Sequence, residues 1–133
     1  MAYEESLRSI SLNADASLAV YTGVPGVPGS ASPNYGFQYR FVQITGANQV
    51  GLAVGGEGEA VIGVMQNEPQ VAGQAATVSI RGVSMMMAGA AFDAGDAVGP
   101  DAEGRAVTGG TAGIALAAAG QANELVPVLL QVS

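Results

Sequence analysis

The chain has 133 residues, a formal net charge of −7, no cysteine and no histidine, and its four basic residues are all arginine. Without thiols it can form neither a disulfide framework nor a thiolate metal site. So few cations argue against binding nucleic acid, whose phosphates are neutralised by lysine and arginine, and against attraction to anionic membranes. We therefore predict no nucleic-acid partner and no membrane partner.

Charged residues are unusually scarce. They make up 11% of the chain, whereas hydrophobic residues make up 49%, and a typical domain has about 25% charged residues. So little charge covers only part of a monomer's exterior, which predicts that some apolar surface is buried against partner proteins. The alternative is that serine, threonine, glutamine, asparagine and glycine cover it.

The first 36 residues differ from the rest of the chain. Their leucines, isoleucine and valines are spaced by small or polar residues, and residues 23–33 contain three prolines and three glycines. That density of proline precludes a regular helix or a central strand. We predict an extended N-terminal arm with a Pro/Gly linker over residues 1–36, followed by a β-rich domain over residues 37–133.

Residues 37–87 show the period-two alternation that is typical of β-strands. The unbroken apolar run at 60–65 suits a strand that is buried on both faces. The alternation at 77–81 predicts that Val78 points inward and Ser79 outward. Glycines between these runs indicate turns and bulges.

The last third continues the pattern. Pro100 and Gly104 predict a hairpin turn, and residues 113–119 are predicted as a strand although their alanines favour helix. In residues 125–132 the even-numbered apolar side chains share one face, whereas Pro127 predicts an edge position or a bulge. Many short strands with Gly-rich turns indicate an all-β fold, either a small barrel or a sandwich.

The residues that catalysis usually requires are missing. Nucleophilic catalysis needs a nucleophile beside a base, and without histidine or lysine neither the usual triads nor a Ser-Lys dyad can form. A two-carboxylate hydrolase site stays possible in principle, but such sites usually lie in aromatic-lined clefts and only 5% of the residues are aromatic. We predict no catalytic residues, no cofactor-binding residues and no enzymatic activity.

Two acidic segments could be interpreted as a metal site or as a phosphate-binding loop. The first is a cluster of four carboxylates: Asp93, Asp96, Asp101 and Glu103. Oxygen ligands suit calcium, but the spacing matches no EF-hand loop, and we interpret the cluster as turn residues that accept backbone N–H groups. Residues 55–59 lack the Gly-Lys-Ser/Thr ending of a phosphate loop and are interpreted as a turn. No metal site is predicted.

Three adjacent methionines, Met85, Met86 and Met87, lie in a predicted strand. Neighbouring side chains of a strand point to opposite faces, so at least one methionine should leave the domain's own core. Methionine suits adaptable apolar contacts with a partner. The alternative is that both faces of the strand are buried within one subunit.

Six segments, in this order and spacing, resemble the capsid cement (decoration) proteins of tailed bacteriophages: residues 60–69, 73–83, 88–98, 104–107, 113–116 and 125–130. The resemblance extends from about residue 50 to residue 132. It implies a small β-barrel or β-tulip-like domain that forms a homotrimer on the outer surface of the phage capsid, as part of a virion assembled in the host cytoplasm. It also implies that the protein clamps neighbouring major capsid protein subunits, a role that needs no active site.

The N-terminal arm lies outside this resemblance, and its role is a separate hypothesis. We expect its apolar side chains to dock on the capsid or on a neighbouring subunit, one mode being an added strand. The candidate contacts, with the three methionines, are Leu7, Ile10, Leu12, Leu18, Val20, Met85, Met86 and Met87. Deleting residues 1–36 should then abolish capsid binding or trimerisation. The alternatives are another phage structural component, such as a tail-tube or fibre protein, and a ligand-binding β-module with a polar and aromatic pocket.

Overall fold

The structure is a computed structural model that describes residues 8–18, 37–56, 58–69 and 71–130. Over those ranges the chain is all-β, as predicted, and none of its segments is a helix able to cross a membrane. The strands are β1 Arg8–Ala14, β2 Phe41–Gly46, β3 Gln49–Leu52, β4 Val61–Met65, β5 Ala75–Met87, β6 Ala97–Pro100, β7 Ala106–Thr108, β8 Gly113–Ala115 and β9 Leu125–Leu130.

Five strands close into a barrel. Their hydrogen-bonded order is β1-β3-β2-β4-β5, and β5 pairs back onto β1. The β1–β5 pairing is antiparallel and runs from Arg8 opposite Arg81 to Asn13 opposite Ala75, whereas β1 meets β3 in a short parallel pairing. Sequence patterns did not distinguish a barrel from a sandwich. The closed ring shows that these strands form a barrel, in which no strand of the ring has a free edge.

The long strand β5 continues beyond the barrel into a second sheet. Its later half pairs with β9, which is followed by β8, β6 and β7. Gly82 lies at the boundary, because β1 pairs as far as Arg81 and β9 pairs from Gly82 onward. Its φ of 101° belongs to a region that side chains rarely adopt, so glycine is suited to this junction.

Two apolar cores hold these parts together. The barrel core is made of Ala14, Leu18, Phe37, Val42, Val50, Met65, Ala76 and Val78. The second core joins barrel strands to the second sheet, and includes Phe41 and Val64 with Met86, Val126 and Val128. Adjacent residues of β2 and of β4 therefore enter different cores, and β4 is buried on both faces, as the run at 60–65 predicted.

Several details differ from the sequence predictions. Ser79 is fully buried rather than outward, because the second core lies on its side of β5, where it pairs with Val64. Strand β8 ends at Ala115, short of the predicted 119. Pro127 lies in an internal strand, between β5 and β8, and not at an edge. Its carbonyl accepts a hydrogen bond from Leu116 N (2.9 Å), just past the end of β8. The N–H that proline lacks would point to the same place, so its absence interrupts little of the β8–β9 ladder.

Other predictions are confirmed. Residues 97–108 form the hairpin of β6 and β7, with Gly104 at a φ of 74° in its turn. The even-numbered apolar residues of β9 are buried in the second core. Turn residues therefore identified the hairpin correctly, and period-two reasoning identified the buried side of β9.

Candidate functional site

The second sheet has an apolar outer face opposite its buried one. Met85 of β5 lies opposite Pro127 of β9, and Leu116 follows β8 beside Pro127. Residues that lie opposite one another across antiparallel strands share a face of the sheet. The register therefore assembles one face from three strand segments, here called the outer face: Val83, Met85, Met87, Ile114, Leu116, Leu125, Pro127 and Leu129.

All eight side chains of the outer face are apolar, and none of them is fully buried. Met85 is 39% exposed, Leu116 44% and Leu125 46%. An antiparallel sheet with one solvated face normally alternates apolar residues inward with polar residues outward. The outer face breaks that rule across three neighbouring strand segments, and exposed apolar patches are a general feature of surfaces that bind other proteins.

Strand β1 offers a comparison within the same chain. Its exposed positions include Ser9, Ser11 and Asn13, and Leu12, between the last two, packs on the barrel core. The chain thus carries polar side chains on a strand that faces solvent. The apolar outer face is consequently a local property of the second sheet rather than a result of the low charge of the whole chain.

The three methionines divide between the two faces of β5. Met86 is fully buried in the second core, while Met85 and Met87 belong to the outer face. This confirms that at least one methionine leaves the core. The sequence did not single out Leu116 or Leu125, although apolar residues at both odd and even positions of 125–130 were a signal that β9 has two apolar faces.

The candidate residues of the predicted arm have several environments. Leu18 is fully buried in the barrel core and Leu12 packs against it, whereas Ile10 is 40% exposed. Leu7 and Val20 lie outside the described residues. The strand within the predicted arm is thus a barrel strand of the same chain, and contact of these side chains with a capsid or a neighbouring subunit stays a prediction.

The acidic cluster acts on the backbone of its own turns. Asp101 Oδ1 accepts hydrogen bonds from the N–H groups of Glu103 (2.8 Å) and Arg105 (2.9 Å), and its Oδ2 lies 3.2 Å from Arg105 Nε. Asp96 accepts the N–H of Asp93 at 2.9 Å. These contacts confirm the interpretation as turn residues that accept backbone N–H groups for Asp96 and Asp101. In the described part of the chain, no three carboxylates converge to form a metal site.

A cleft of about 420 Å³ lies between the 55–59 turn and the β6–β7 hairpin, and glycines form much of its lining. Glu59 is the ionisable residue among its described lining residues. The Glu59 carboxylate accepts the N–H groups of Val54 (2.6 Å) and Gly55 (2.8 Å) and the side-chain amide of Gln43 (2.9 Å). Its charge therefore holds the predicted turn.

Arg40 connects the 101–105 turn to the barrel. Its guanidinium lies 5.2 Å from the centre of the Phe37 ring, and Nη1 donates a hydrogen bond to the carbonyl of Glu103 (3.1 Å). Burial lowers the pKa of Arg40 from its ordinary value and Arg105 lowers it further, while Glu103 and Asp101 act in the opposite direction. These contacts give the arginine a role in packing.

The fold and the outer face define a small all-β protein in which a closed barrel carries a second sheet with a partly exposed apolar face. The chain belongs to the phage cement protein family, whose model matches residues 39–130. It is accordingly a structural protein of the phage capsid. No curated protein matches it.

The fold is also similar to the crystal structure of the head fiber gp8.5 N base of bacteriophage phi29, with a TM-score of 0.58. The two sequences are 18% identical, and the match covers 95% of this chain and 97% of the other. At this identity the likeness concerns the fold, and it extends beyond the segment that the family model matches.

Proposed function

We propose that the protein binds the outer surface of a phage capsid as a homotrimer and stabilises contacts between major capsid protein subunits. Membership of the cement family is the observation that carries the proposal. The apolar outer face supports it, because a protein that works by binding other proteins needs a surface that is better buried than solvated.

A second candidate function is favoured by the likeness to a head fiber base. A fibre base attaches to a head and carries further structure, whereas a cement protein strengthens the shell itself. The two roles predict different effects on shell stability, although both include binding to the head.

Cosedimentation with purified heads tests the binding. We expect the protein to pellet with expanded heads of its own phage and to saturate a fixed number of sites, with unexpanded heads as the control. A chain that stays in the supernatant at micromolar concentration would contradict capsid binding.

Heating DNA-filled heads with and without the protein separates the two functions. A cement protein should raise the temperature at which DNA becomes accessible to a dye, because it adds contacts that must break before the shell opens. Saturated binding without any change in that temperature would favour the fibre-base function.

Among the candidate contact residues that the structure describes, Ile10 and Met85 have the most exposed side chains and are therefore the best placed to contact a capsid. Ile10→Ser changes the exposed arm position, and Met85→Gln changes the outer face while keeping side-chain length. Weaker pelleting of a folded variant that keeps the oligomeric state of the wild type would assign that position to the capsid contact, and wild-type pelleting by both would remove the two residues from it.

A further inference from the structure

We propose that the outer face is the surface through which copies of this chain associate with one another, so that their second sheets pack together around the symmetry axis of the oligomer. This deepens the proposed function, since it rests on the homotrimer and names the surface that builds it. Capsid contacts then lie on other surfaces of the protein, so Met85→Gln should weaken pelleting only when it also weakens the oligomer.

Charge is the first reason to place the contact between copies on this face. Every chain carries a formal net charge of −7, so identical copies repel one another over most approaches. The outer face contains no carboxylate, and its three most exposed members are Met85, Leu116 and Leu125. Copies that meet there keep the carboxylates that the structure describes away from the centre of the contact, where repulsion in a desolvated interface is strongest.

The composition of the face is the second reason. Interfaces between proteins that fold separately and then meet are about as polar as the rest of the surface, while permanent homomeric interfaces are more apolar. A capsid and its decoration protein belong to the first kind. An outer face built from eight apolar side chains, with no polar one among them, matches the second kind. Its methionines also adapt to a symmetric neighbour without a preformed pocket.

A pair of double variants tests the assignment. Leu116→Glu/Leu125→Glu places two carboxylates on the outer face at positions that are already 44% and 46% exposed. Ile44→Glu/Val54→Glu is the matched control, because it adds the same charge at apolar positions outside the face that are 40% and 50% exposed. Circular dichroism and thermal unfolding establish that both are folded.

Sedimentation equilibrium at micromolar concentration gives the readout. We expect the wild type and the control to sediment as trimers, and the outer-face variant to fall to the 13.1 kDa of a single chain. An outer-face variant that stays trimeric would overturn the proposal, as would a monomeric wild type. Cosedimentation of the wild type with heads is a separate measurement. A wild-type monomer that still binds heads would support capsid binding and contradict the self-association proposed here.

Oxidation of the unaltered protein keeps the test valid even if the outer-face variant does not fold. Peroxide oxidation followed by mass spectrometry should leave Met85 of the oligomer nearly as protected as Met86, which is fully buried within the chain. Rapid oxidation of Met85 in the oligomer would contradict the proposal. Protection of Met85 in a monomer would also contradict it, because a segment of the same chain would then cover the face.

Discussion

At the scale of single residues, carboxylates organise the turns. Asp101 and Glu59 each accept two backbone N–H groups, and Asp15 accepts the N–H of Ser17 at 2.8 Å. Side-chain carboxylates that accept nearby backbone N–H groups in this way favour the turn conformation over alternatives. Part of the acidity of the chain therefore has a structural role inside the fold.

Asp101→Ala should destabilise the protein by about 1–3 kcal/mol, because two backbone N–H groups lose a charged acceptor and Arg105 loses its partner. Urea unfolding measures the change. Glu103→Ala is the control: its carboxylate lies 3.3 Å from Arg105 Nη2 but is 51% exposed, and loss of such a surface pair should cost less than about 1 kcal/mol. Equal losses in the two variants would contradict this account of the turn.

Ser79 shows what single-residue patterns leave undetermined. The alternation at 77–81 correctly places Val78 in the barrel core, but it gives no information on what covers the other side of the strand. In the structure that side faces the second core, and Ser79 Oγ lies 3.2 Å from Ser9 Oγ, which provides a hydrogen bond in its buried position. Burial of a polar residue on a strand thus depended on packing that residues 77–81 do not encode.

At the scale of elements, β4 and β5 approach closely at Gly63. A Cβ atom built on Gly63 would lie 2.0 Å from the carbonyl oxygen of Ser79, which belongs to the backbone of the neighbouring strand. Gly63→Ala should therefore force the strands apart and cost about 1–3 kcal/mol. At Gly56 the nearest atom would be 3.8 Å away, so Gly56→Ala should leave the midpoint of thermal unfolding almost unchanged. Equal midpoints for the two variants would count against the strand geometry.

The closure of the barrel by β1 can be tested with a disulfide, because the chain has no other cysteine. Ser9 and Ser79 are register partners, and paired Cα atoms in antiparallel strands are about 4.5–5.5 Å apart, within the range of disulfides. Ser9→Cys/Ser79→Cys should give a crosslinked monomer on a non-reducing gel and a higher unfolding midpoint without reductant. Ser11→Cys/Ser79→Cys, which is out of register, should crosslink less. Disulfide-linked multimers would mean that β1 is exchanged between copies.

The pairing of β1 was beyond the reach of sequence patterns. Alternation shows that a segment is extended and which of its side chains share a face, but Ser9 and Ser79 are 70 positions apart. The outer face could not be predicted for the same reason. The three methionines are conspicuous in the sequence, but Leu116 lies beside them only because of the register of β5, β9 and β8. Deleting residues 1–36 would also remove a barrel strand and Leu18, so loss of binding in that deletion would not by itself identify a docking arm.

At the scale of the whole molecule, net charge and apolar surface would act against each other in the proposed self-association. Repulsion between chains of charge −7 is screened by salt, while burial of the outer face is not weakened by it. Association should therefore tighten between about 0.01 M and about 1 M NaCl, as the Debye length falls from ~30 Å to ~3 Å. Sedimentation equilibrium measures the change, and weaker association at high salt would indicate ion pairs across the interface.

The position of β5 has a mechanical consequence. This one strand belongs to both the barrel and the second sheet, and it is paired with β1, β4 and β9 along its length. Ladder hydrogen bonds run perpendicular to antiparallel strands, so a pull that separates the two parts along β5 loads many of them together in shear. A pull across the sheet at β7 would instead open its short pairing with β6 one bond at a time. The direction in which a load is applied therefore sets how much tension the protein can carry.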